Sequence, residues 1–337
     1  MKTAILVTGG AGYVGSHACK ALAAAGYLPV VLDNFSTGHA DFVRWGPQVK
    51  GDIADSALVA ETITRHGCAG VMHFAAASLV GESVSNPGLY YANNVGGTLG
   101  LLEGMRQAGC RSIVFSSTCA IYGDPGTGPI TEATAQAPIS PYGASKQMVE
   151  RVLRDFHTAH GLNSICLRYF NACGASEDAE IGEMRDPETH LIPRAMMSLL
   201  GRIRDFAVHG SDYPTADGTA IRDYIHVRDL AQAHVLALGA LFGGKKLGAY
   251  NLGSGRGASV LEVLNEIERV TGRPMAKVSG ARRAGDPPVL VADGALARQE
   301  LGFTTRHSAM SRIIESSWRW HLKAHGAAAA PQAALAA

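Results

Sequence analysis

The chain opens with a short apolar run followed by closely spaced glycines, AILVTGGAGYVG, at residues 4–15. The apolar residues at 5–7 predict a buried strand. Gly9, Gly12 and Gly15 follow at three-residue intervals. Glycines at this spacing permit a tight turn and let backbone amides approach a dinucleotide pyrophosphate at the start of the next helix. The stretch therefore predicts the first strand, turn and helix of a dinucleotide-binding fold.

The same alternation of strands and helices continues along the first half of the chain. A helical pattern at 17–25 precedes a second apolar run at 29–33, which completes a β-α-β unit. Apolar runs separated by helical patterns then recur at 70–74, 112–116 and 164–168. This order predicts an α/β fold with a doubly wound parallel sheet of the Rossmann type.

A second, smaller lobe is predicted after Asn171, where loops rich in Gly, Asp and Pro replace the regular alternation. At 337 residues the chain exceeds the size at which one core usually stops growing. We expect a cofactor-binding domain at 1–170 and a C-terminal α/β lobe that binds substrate, mainly at 171–325. The chain is expected to return to the first domain around 224–242.

Two further helices and a disordered tail are predicted in this half. Helical patterns cover 227–241 and 259–271. Ser259 is a candidate N-cap of the second helix, with Glu262 at its third position. Residues 326–337 are rich in alanine and lack an apolar stripe, so we expect them to be disordered.

Composition narrows the classes of partner. The formal net charge of +1 gives no reason to expect nucleic acid or a membrane surface as the main partner. No leader pattern or long apolar run is present, which indicates a cytoplasmic protein. The six cysteines have no CxxC spacing, so reduced thiols are expected rather than disulfides or a metal site.

Asp33, at the end of the second predicted strand, indicates which dinucleotide binds. A carboxylate at this distance from the glycines suits the ribose hydroxyls of NAD and would repel the extra phosphate of NADP. We therefore predict NAD as the cofactor. The alternative is that Asp33 only caps the turn that follows it.

Tyr142 and Lys146 are the candidate acid–base pair. They lie four residues apart, on one face of a predicted helix. A free tyrosine has a pKa of about 10, and a nearby lysine ammonium, aided by the positive nicotinamide, would stabilise the phenolate and lower this pKa toward neutral pH. Thr118 follows a predicted strand, where ligands of open α/β sheets bind, and its hydroxyl could relay the substrate proton to Tyr142.

These motifs together resemble the extended short-chain dehydrogenase/reductases and, among them, the UDP-glucose 4-epimerase family. The resemblance runs from the first strand almost to the tail. It rests on TGGAGYVGSH from Thr8, LDN from Leu32, GDI from Gly51, HFAA from His73, VGES from Val80, YYANNVGGT from Tyr90, SSTCAIYG from Ser116, PYGASK from Pro141, LRYFNACGA from Leu167, DYPTADGTAIRDYIHVRDLA from Asp212, YNLGSGRGASVLEV from Tyr250 and RRAGD from Arg282.

The resemblance implies an isomerase in which NAD stays bound throughout the cycle. Tyr142 would deprotonate the sugar 4-hydroxyl while the C4 hydrogen leaves as hydride. The 4-keto sugar would then turn over and take the hydride back on its opposite face, with no net oxidation. The family also implies a homodimer, with the apolar stripe of a helix at 147–157 at the interface, although burial of that stripe in the core is the alternative.

The same resemblance assigns the site by position. The catalytic residues would be Tyr142, Lys146 and Thr118. NAD would contact Gly9, Gly12, Tyr13, Val14, Gly15, Asp33, Asn34, Asp52, Ile53, Phe74, Ala75, Ala76, Asn93, Tyr142 and Lys146. The UDP-sugar would contact Thr118, Asn171, Arg222, Arg283, Asp286, Leu290 and His209.

Four positions depart from the best-known members of the family. Ser78 replaces a lysine near the cofactor phosphates, and His190 replaces an asparagine. His209 occupies a position often held by Phe beside the uracil. Leu290 replaces a bulky Tyr that restricts the sugar pocket, so UDP-N-acetylhexosamines and UDP-pentoses stay open as alternative substrates.

Other functions are weighed against this one. A nucleotide-sugar dehydratase of the same fold would carry Asp-Glu directly after the active-site Thr, whereas this chain has Cys119 and Ala120. A non-catalytic NAD-binding regulator would not need Thr118, Tyr142 and Lys146 together. At single positions, Arg222 and Asp223 could instead be a local ion pair, Arg282 and Arg283 could be a solvated basic face, and His226 and His234 lack the spacing of a metal site.

Overall fold

The computed structural model describes residues 2–282 and 286–326. Its helices and strands alternate through most of the chain. In chain order they are β1 (Ala4–Thr8), α1 (Tyr13–Ala24), β2 (Leu28–Asp33), β3 (Gln48–Lys50), α2 (Ser56–His66), β4 (Cys68–His73), α3 (Val80–Ser85), α4 (Pro87–Tyr90), α5 (Gly97–Gln107), β5 (Ser112–Thr118), α6 (Pro141–His160), β6 (Asn163–Tyr169), β7 (Asn171–Cys173), α7 (Leu191–Leu199), β8 (Val208–His209), β9 (Ile221–His226), α8 (Val227–Phe242), β10 (Leu247–Leu252), β11 (Gly257–Ser259), α9 (Val260–Thr271), β12 (Ser279–Gly280), β13 (Val289–Leu290), α10 (Ala295–Leu301) and α11 (Met310–His325).

A seven-stranded sheet forms the larger part of the molecule. Its strand order is β10-β6-β5-β4-β1-β2-β3, and every neighbouring pair is parallel. The five strands predicted from apolar runs are β1, β2, β4, β5 and β6. Helices cover both faces, so the predicted doubly wound parallel sheet is confirmed.

Each face of the sheet has its own apolar core. On one face, α1 and α8 contribute Leu22 and Leu238, which are fully buried. On the other, α2, α5 and α6 pack with fully buried Leu101 and nearly fully buried Val149. Leu153 of α6 also belongs to this core, so the apolar stripe expected at a dimer interface is largely a core face of the helix.

The first helix begins earlier than the sequence pattern predicts. It starts at Tyr13, directly after Gly12, rather than at residue 17. Gly12 is the N-cap and its backbone is extended. The first backbone amides of α1 therefore lie at the glycine turn, at the carboxyl end of β1.

The C-terminal half builds a smaller sheet and helix layer. β9 pairs with β7, β11 and β13. A third core lies among α7, α9 and α11, with Ile192, Leu264 and Ile313 buried in it. The capping box of α9 is confirmed: the Ser259 hydroxyl accepts from the Glu262 amide, and the Glu262 carboxylate accepts from the Ser259 amide.

The return of the chain to the first domain is longer than the predicted segment at 224–242. α8 packs on α1 and on the large sheet. After it, β10 pairs with β6 as the edge strand of the large sheet, and α10 packs against β10. The segment assigned to the second lobe thus supplies a strand and two helices to the first.

Among the described residues, no helix combines the length and apolar character needed to cross a membrane. Residues 283–285 and 327–337, which include Arg283 and nearly all of the predicted tail, lie outside the described part of the chain.

Candidate active site

The glycine turn is tightly packed at Gly9 and Gly15 and more open at Gly12. Gly9 has a φ of 70°, and a Cβ added there would lie 2.5 Å from the backbone nitrogen of Ala75. A Cβ on Gly15 would overlap the Gly9 carbonyl oxygen. At Gly12 the nearest atom to an added Cβ is the same oxygen, at 3.3 Å. Packing thus requires the outer glycines, while the middle one leaves backbone surface that a pyrophosphate could approach.

The N-terminus of α1 lies at this surface. A glycine N-cap supplies no side-chain acceptor, so the first-turn amides and the positive end of the helix dipole suit an anion. The Tyr13 side chain turns away from this surface and is buried, with its hydroxyl donating to the Gly174 carbonyl at 2.7 Å. Of the predicted cofactor residues here, Tyr13 and Val14 can therefore contribute backbone amides.

Asp33 organises the turn from the end of β2. One carboxylate oxygen accepts from the Ala11 amide and the other from the Phe35 amide, both at 2.9 Å. Burial raises the pKa of Asp33, and the two amides act in the opposite direction. The capping role that the sequence left open is thus present in the structure, and the role toward ribose hydroxyls stays a prediction.

The other predicted cofactor residues surround the same end of the sheet. Asn34 donates to the Asp52 carboxylate at 3.0 Å, and the neighbouring Ile53 is buried in the core. Phe74 packs on the His234 ring with centroids 4.6 Å apart. Residues 75 and 76 follow β4, and Asn93 donates to the Asn94 side chain at 2.9 Å.

Thr118 and Tyr142 are brought together by the end of β5 and the start of α6. Thr118 is the last residue of β5, and its hydroxyl accepts from the Ala120 amide at 3.1 Å. Tyr142 lies in the first turn of α6, after the N-cap Ser140 and Pro141 at the first helical position. Ser140 accepts from the Gly143 amide at 3.2 Å, which fixes where this helix begins.

Lys146 reaches the same strand one turn later. Its ammonium donates to the Ser116 carbonyl at 2.8 Å and lies 4.8 Å from the centre of the Phe115 ring. The residue is buried, and burial lowers the pKa of Lys146 to about 7. An ammonium so poorly solvated is set to interact strongly with a nearby anion.

The pKa of Tyr142 is governed first by the burial of its side chain. Burial raises the pKa of this phenol above its ordinary value, whereas a hydrogen bond with Thr118 and the charge of Arg185 lower it by less. The sequence predicted a lowering by Lys146 together with the positive nicotinamide; in the structure the Lys146 ammonium donates to the Ser116 carbonyl. Spacing along a helix fixes neither the direction of a long side chain nor the cost of burying a phenolate.

Arg222 and Asp286, both predicted substrate residues, form an ion pair. Arg222 is buried on β9 and donates from Nη2 to Asp286 Oδ1 at 2.7 Å. Asp223, the partner in the local ion-pair alternative, instead accepts from the amides of Ser254 and Gly255 and is buried. The Arg222 guanidinium is therefore paired with a residue distant in sequence, and the alternative of a local ion pair with Asp223 is wrong.

The remaining predicted substrate residues that the structure describes lie on three different strands. Leu290 on β13 is the register partner of Arg222 and packs on the same small cluster as Cys119. Asn171 begins β7, beside Tyr224 of β9. His209 lies on the separate β8–β12 pair, exposed, with its ring nitrogen 3.3 Å from the Ala281 carbonyl oxygen.

The basic pair at 282–283 is described only at its first member. Arg282 lies over the Tyr213 ring, 4.3 Å from its centre, and donates to Asp212. The Arg282 side chain is exposed as well as paired, so the alternative of a solvated basic face stays open.

Comparison with known proteins assigns this arrangement to a family. Residues 5–253 match the model of the NAD dependent epimerase/dehydratase family. A UDP-glucose 4-epimerase of Rhizobium leguminosarum bv. trifolii is 51% identical over 321 residues, which cover 95% of this chain and 98% of the relative. The chain belongs to the UDP-glucose 4-epimerases of this family.

Solved structures of UDP-glucose 4-epimerases have the same fold. The Brucella ovis protein, in complex with NAD, is 53% identical to this chain, with a TM-score of 0.92. The match covers 94% of this chain and 98% of the Brucella chain. The Bifidobacterium longum protein, in complex with NAD+ and UDP, is 36% identical with a TM-score of 0.90, at 95% and 98% coverage. A non-catalytic regulator is not what this similarity indicates.

The residues after Thr118 are consistent with an epimerase rather than a dehydratase. Burial raises the pKa of the Cys119 thiol to about 12, with Arg222 acting in the opposite direction. A thiol with that pKa stays protonated at neutral pH, and Ala120 has no ionisable group. Neither side chain can replace the acid and base that elimination of water requires.

Sequence reasoning missed Arg185. Its side chain contacts Ser78, one of the four positions that differ from the best-known members of the family. Its Nη1 donates to the Ser78 hydroxyl at 3.2 Å, and its Nε donates to the Glu183 carboxylate at 2.9 Å. His190 also differs from the family pattern, and its Nδ1 lies 3.0 Å from the same Glu183 carboxylate. A guanidinium from the loop after β7 thus reaches Ser78, and its position in an irregular loop left no periodic signal.

A second missed residue is Asn94. It is buried, exchanges hydrogen bonds with the backbone of Ala77 and donates to the Ser145 hydroxyl at 3.0 Å. It therefore ties the loop after β4 to α6. The sequence singled out its neighbour Asn93 instead.

Proposed function

We propose that the protein interconverts UDP-glucose and UDP-galactose by reversible oxidation at sugar C4 with tightly bound NAD. The observation that supports this is the packing of α6, which carries Tyr142 and Lys146, against the end of β5 at Ser116 and Thr118, two strands from β1 in the sheet. It occurs in a chain about half identical, over nearly its whole length, to UDP-glucose 4-epimerases.

The cofactor would lie along the carboxyl ends of the parallel strands. The amides at the start of α1 and the open face of Gly12 suit its pyrophosphate. Asp33 suits the adenosine ribose, and Asn34, Asp52 and Ile53 would border the adenine. NAD, when bound, accepts the C4 hydrogen of the sugar and returns it to the opposite face. The Rossmann domain carries this part of the site, and the C-terminal lobe carries the nucleotide-sugar part.

Tyr142 would be the general base and then the general acid. The phenol is buried, so its deprotonation needs compensating positive charge. The Lys146 ammonium and the positively charged nicotinamide ring together supply such charge. Thr118 would hold the 4-hydroxyl and pass its proton to the phenolate.

The nucleotide-sugar would be bound through its diphosphate and uridine. Arg222 presents a planar guanidinium that suits a diphosphate, and Asp286 can accept from ribose hydroxyls. Both are already aligned by their ion pair. Asn171, Leu290, His209 and Arg283 would complete the pocket.

We further propose a homodimer, through the face formed by α3, α4, the start of α5 and α6. The exposed fractions of Val80, Val84 and Leu89 are 49%, 65% and 43%. α3 and α4 pack against α6, on which Met148 is also exposed. A second copy of this chain is the partner that would cover these apolar side chains.

A cytoplasmic location is proposed as well. All six cysteines are free, and Cys19, Cys68, Cys110, Cys166 and Cys173 are buried. Proteins of oxidising compartments tend to pair their cysteines.

The test is to incubate the purified protein with UDP-galactose, without added coenzyme, and to resolve the products by chromatography. UDP-glucose should form until equilibrium is reached. A Tyr142→Phe variant, which retains the ring, should lose about 10²–10⁴-fold in kcat. Formation of no UDP-glucose by the wild type would refute the proposal.

A further inference from the structure

A buried polar network lies directly behind the proposed catalytic residues. Glu150, one helical turn after Lys146 on α6, is 1% exposed. Its Oε1 accepts from the Ser117 hydroxyl at 2.6 Å and from Arg168 Nε at 2.9 Å, and its Oε2 accepts from Arg168 Nη2 at 2.6 Å. One carboxylate thus joins the catalytic helix to β5 through Ser117 and to β6 through Arg168.

The same guanidinium also reaches the segment that follows Thr118. Arg168 Nη1 donates to the Tyr122 hydroxyl at 2.9 Å, and Tyr122 donates to Asn251 Oδ1 at 2.7 Å. Ser117 immediately precedes Thr118, and Tyr122 ends the single helical turn that begins just after it. Glu150 and Arg168 therefore hold the chain on both sides of Thr118.

A gain in folding stability is not sufficient reason for the buried ion pair of Glu150 and Arg168. Burial lowers the pKa of Arg168, but the Glu150 carboxylate more than offsets this and keeps it above its ordinary value. Replacing a buried ion pair by apolar side chains of similar volume is often neutral or stabilising. What apolar side chains cannot supply is the directional two-bond fork between guanidinium and carboxylate.

Other contacts between α6 and the sheet fix its register less strictly. Val149 and Leu153 pack in the core, and apolar contacts of this kind tolerate small sliding movements. The Lys146 ammonium donates to the Ser116 carbonyl, but Lys146 is itself proposed to act in the reaction. The fork of Glu150 and Arg168 is thus a directional contact that is independent of the reacting groups.

We propose that Glu150 and Arg168 are positioning residues that hold Tyr142 and Lys146 in register with Thr118. The inference rests on the proposed function, because it concerns the same reaction. Neither residue contacts the reacting atoms. A misplacement of about 1 Å between reacting groups can lower a rate by about 100-fold, so a small slip of α6 along the sheet would be enough.

The experiment compares single and double variants of the NAD-loaded full chain. Glu150→Gln and Arg168→Met each leave a buried polar partner unsatisfied, so both should lose stability and activity. The double variant Glu150→Met/Arg168→Met leaves no unpaired charge and should unfold near the wild-type temperature. Its kcat for UDP-galactose should nevertheless stay about 10–100-fold below wild type, with KM changed by less than about threefold.

Two further variants keep the test decisive. Ser117→Ala removes one hydrogen bond, should fold, and should lower kcat by about fivefold, which corresponds to about 1 kcal/mol. The double variant Glu266→Met/Arg269→Met removes an exposed ion pair of α9 and should leave kcat and KM unchanged. Wild-type kcat in the Glu150/Arg168 double variant, or in Ser117→Ala if the double variant fails to fold, would overturn the inference. Inactivity of the wild type would instead refute the proposed function.

Discussion

At the scale of single residues, burial dominates the pKa of Tyr142. Burial raises the pKa of the phenol, and the Lys146 ammonium is directed to the Ser116 carbonyl. In the proposed mechanism, positive charge brought by the cofactor is part of the activation, as the sequence predicted, since a buried phenolate needs a nearby cation. A resident coenzyme would thus both accept hydride and help to ionise the base.

Thr118 offers the first test at this scale. Thr118→Ala should lower kcat by about 100-fold, because the proton relay to Tyr142 is lost. It also removes the acceptor for the Ala120 amide. Thr118→Ser keeps the hydroxyl for both purposes and should stay within about fivefold of wild type. Equal kcat values for the two variants under saturating UDP-galactose would contradict the role of the hydroxyl.

Arg222 offers the second test at the scale of single residues. Arg222→Lys keeps the charge but loses the planar fork, so KM for UDP-galactose should rise by about tenfold, as expected for loss of one charge-assisted hydrogen bond. The value of kcat should change less, because the diphosphate lies away from C4. Arg151→Lys, an exposed arginine on α6, is the matched control and should leave KM unchanged. An unchanged KM in Arg222→Lys would place the diphosphate elsewhere.

At the scale of elements, uninterrupted apolar runs were enough to predict the main strands. β1 and β5 have fully buried interiors, which is why their sequences read as strands without alternation. The start of α1 was mispredicted because glycines and the residues just after them look like a turn, whereas the N-cap at Gly12 depends on backbone geometry. β10 was missed because Gly248 and Asn251 interrupt its apolar residues and only its last three residues are buried.

The loop from Glu183 to His190 carries a pH-dependent ion pair. Burial lowers the pKa of His190, but the Glu183 carboxylate more than offsets this and raises it to about 9. The raised pKa stabilises the folded state fully below pH 6.5, and this contribution is lost as the pH rises through 9.

His190→Gln should therefore destabilise the protein most at the acidic end of this range. The difference from wild type in the free energy of unfolding should be about 1 kcal/mol below pH 6.5. This is less than a fully buried ion pair would give, because His190 is partly exposed and solvent screens the charge. The difference in free energy should become smaller above pH 9. Urea unfolding at several pH values measures it, and a difference that grows with pH would contradict the ion pair.

At the scale of the whole molecule, the sequence predicted that the chain returns to the large sheet around 224–242, where α8 packs on it. It did not predict that β10 and α10 return as well. Their placement depends on long-range packing, which local patterns do not encode. Residues such as Arg185 and Glu150 gain their significance only from partners distant in sequence.

The proposed dimer belongs to this scale. Val84→Glu should give a monomer in light scattering, because a charge in an apolar interface is not solvated. Val278→Glu, at a 59% exposed valine in the C-terminal lobe, should leave the mass unchanged. A Val84→Glu protein with the mass of a dimer would exclude this face.

The central claim is that hydride leaves C4 and returns to the same carbon. UDP-galactose deuterated at C4 tests it directly, with the purified protein in ordinary water and no added coenzyme. The UDP-glucose formed, observed by NMR, should carry deuterium at C4 in the inverted configuration. Product with hydrogen from the solvent at C4 would contradict the account.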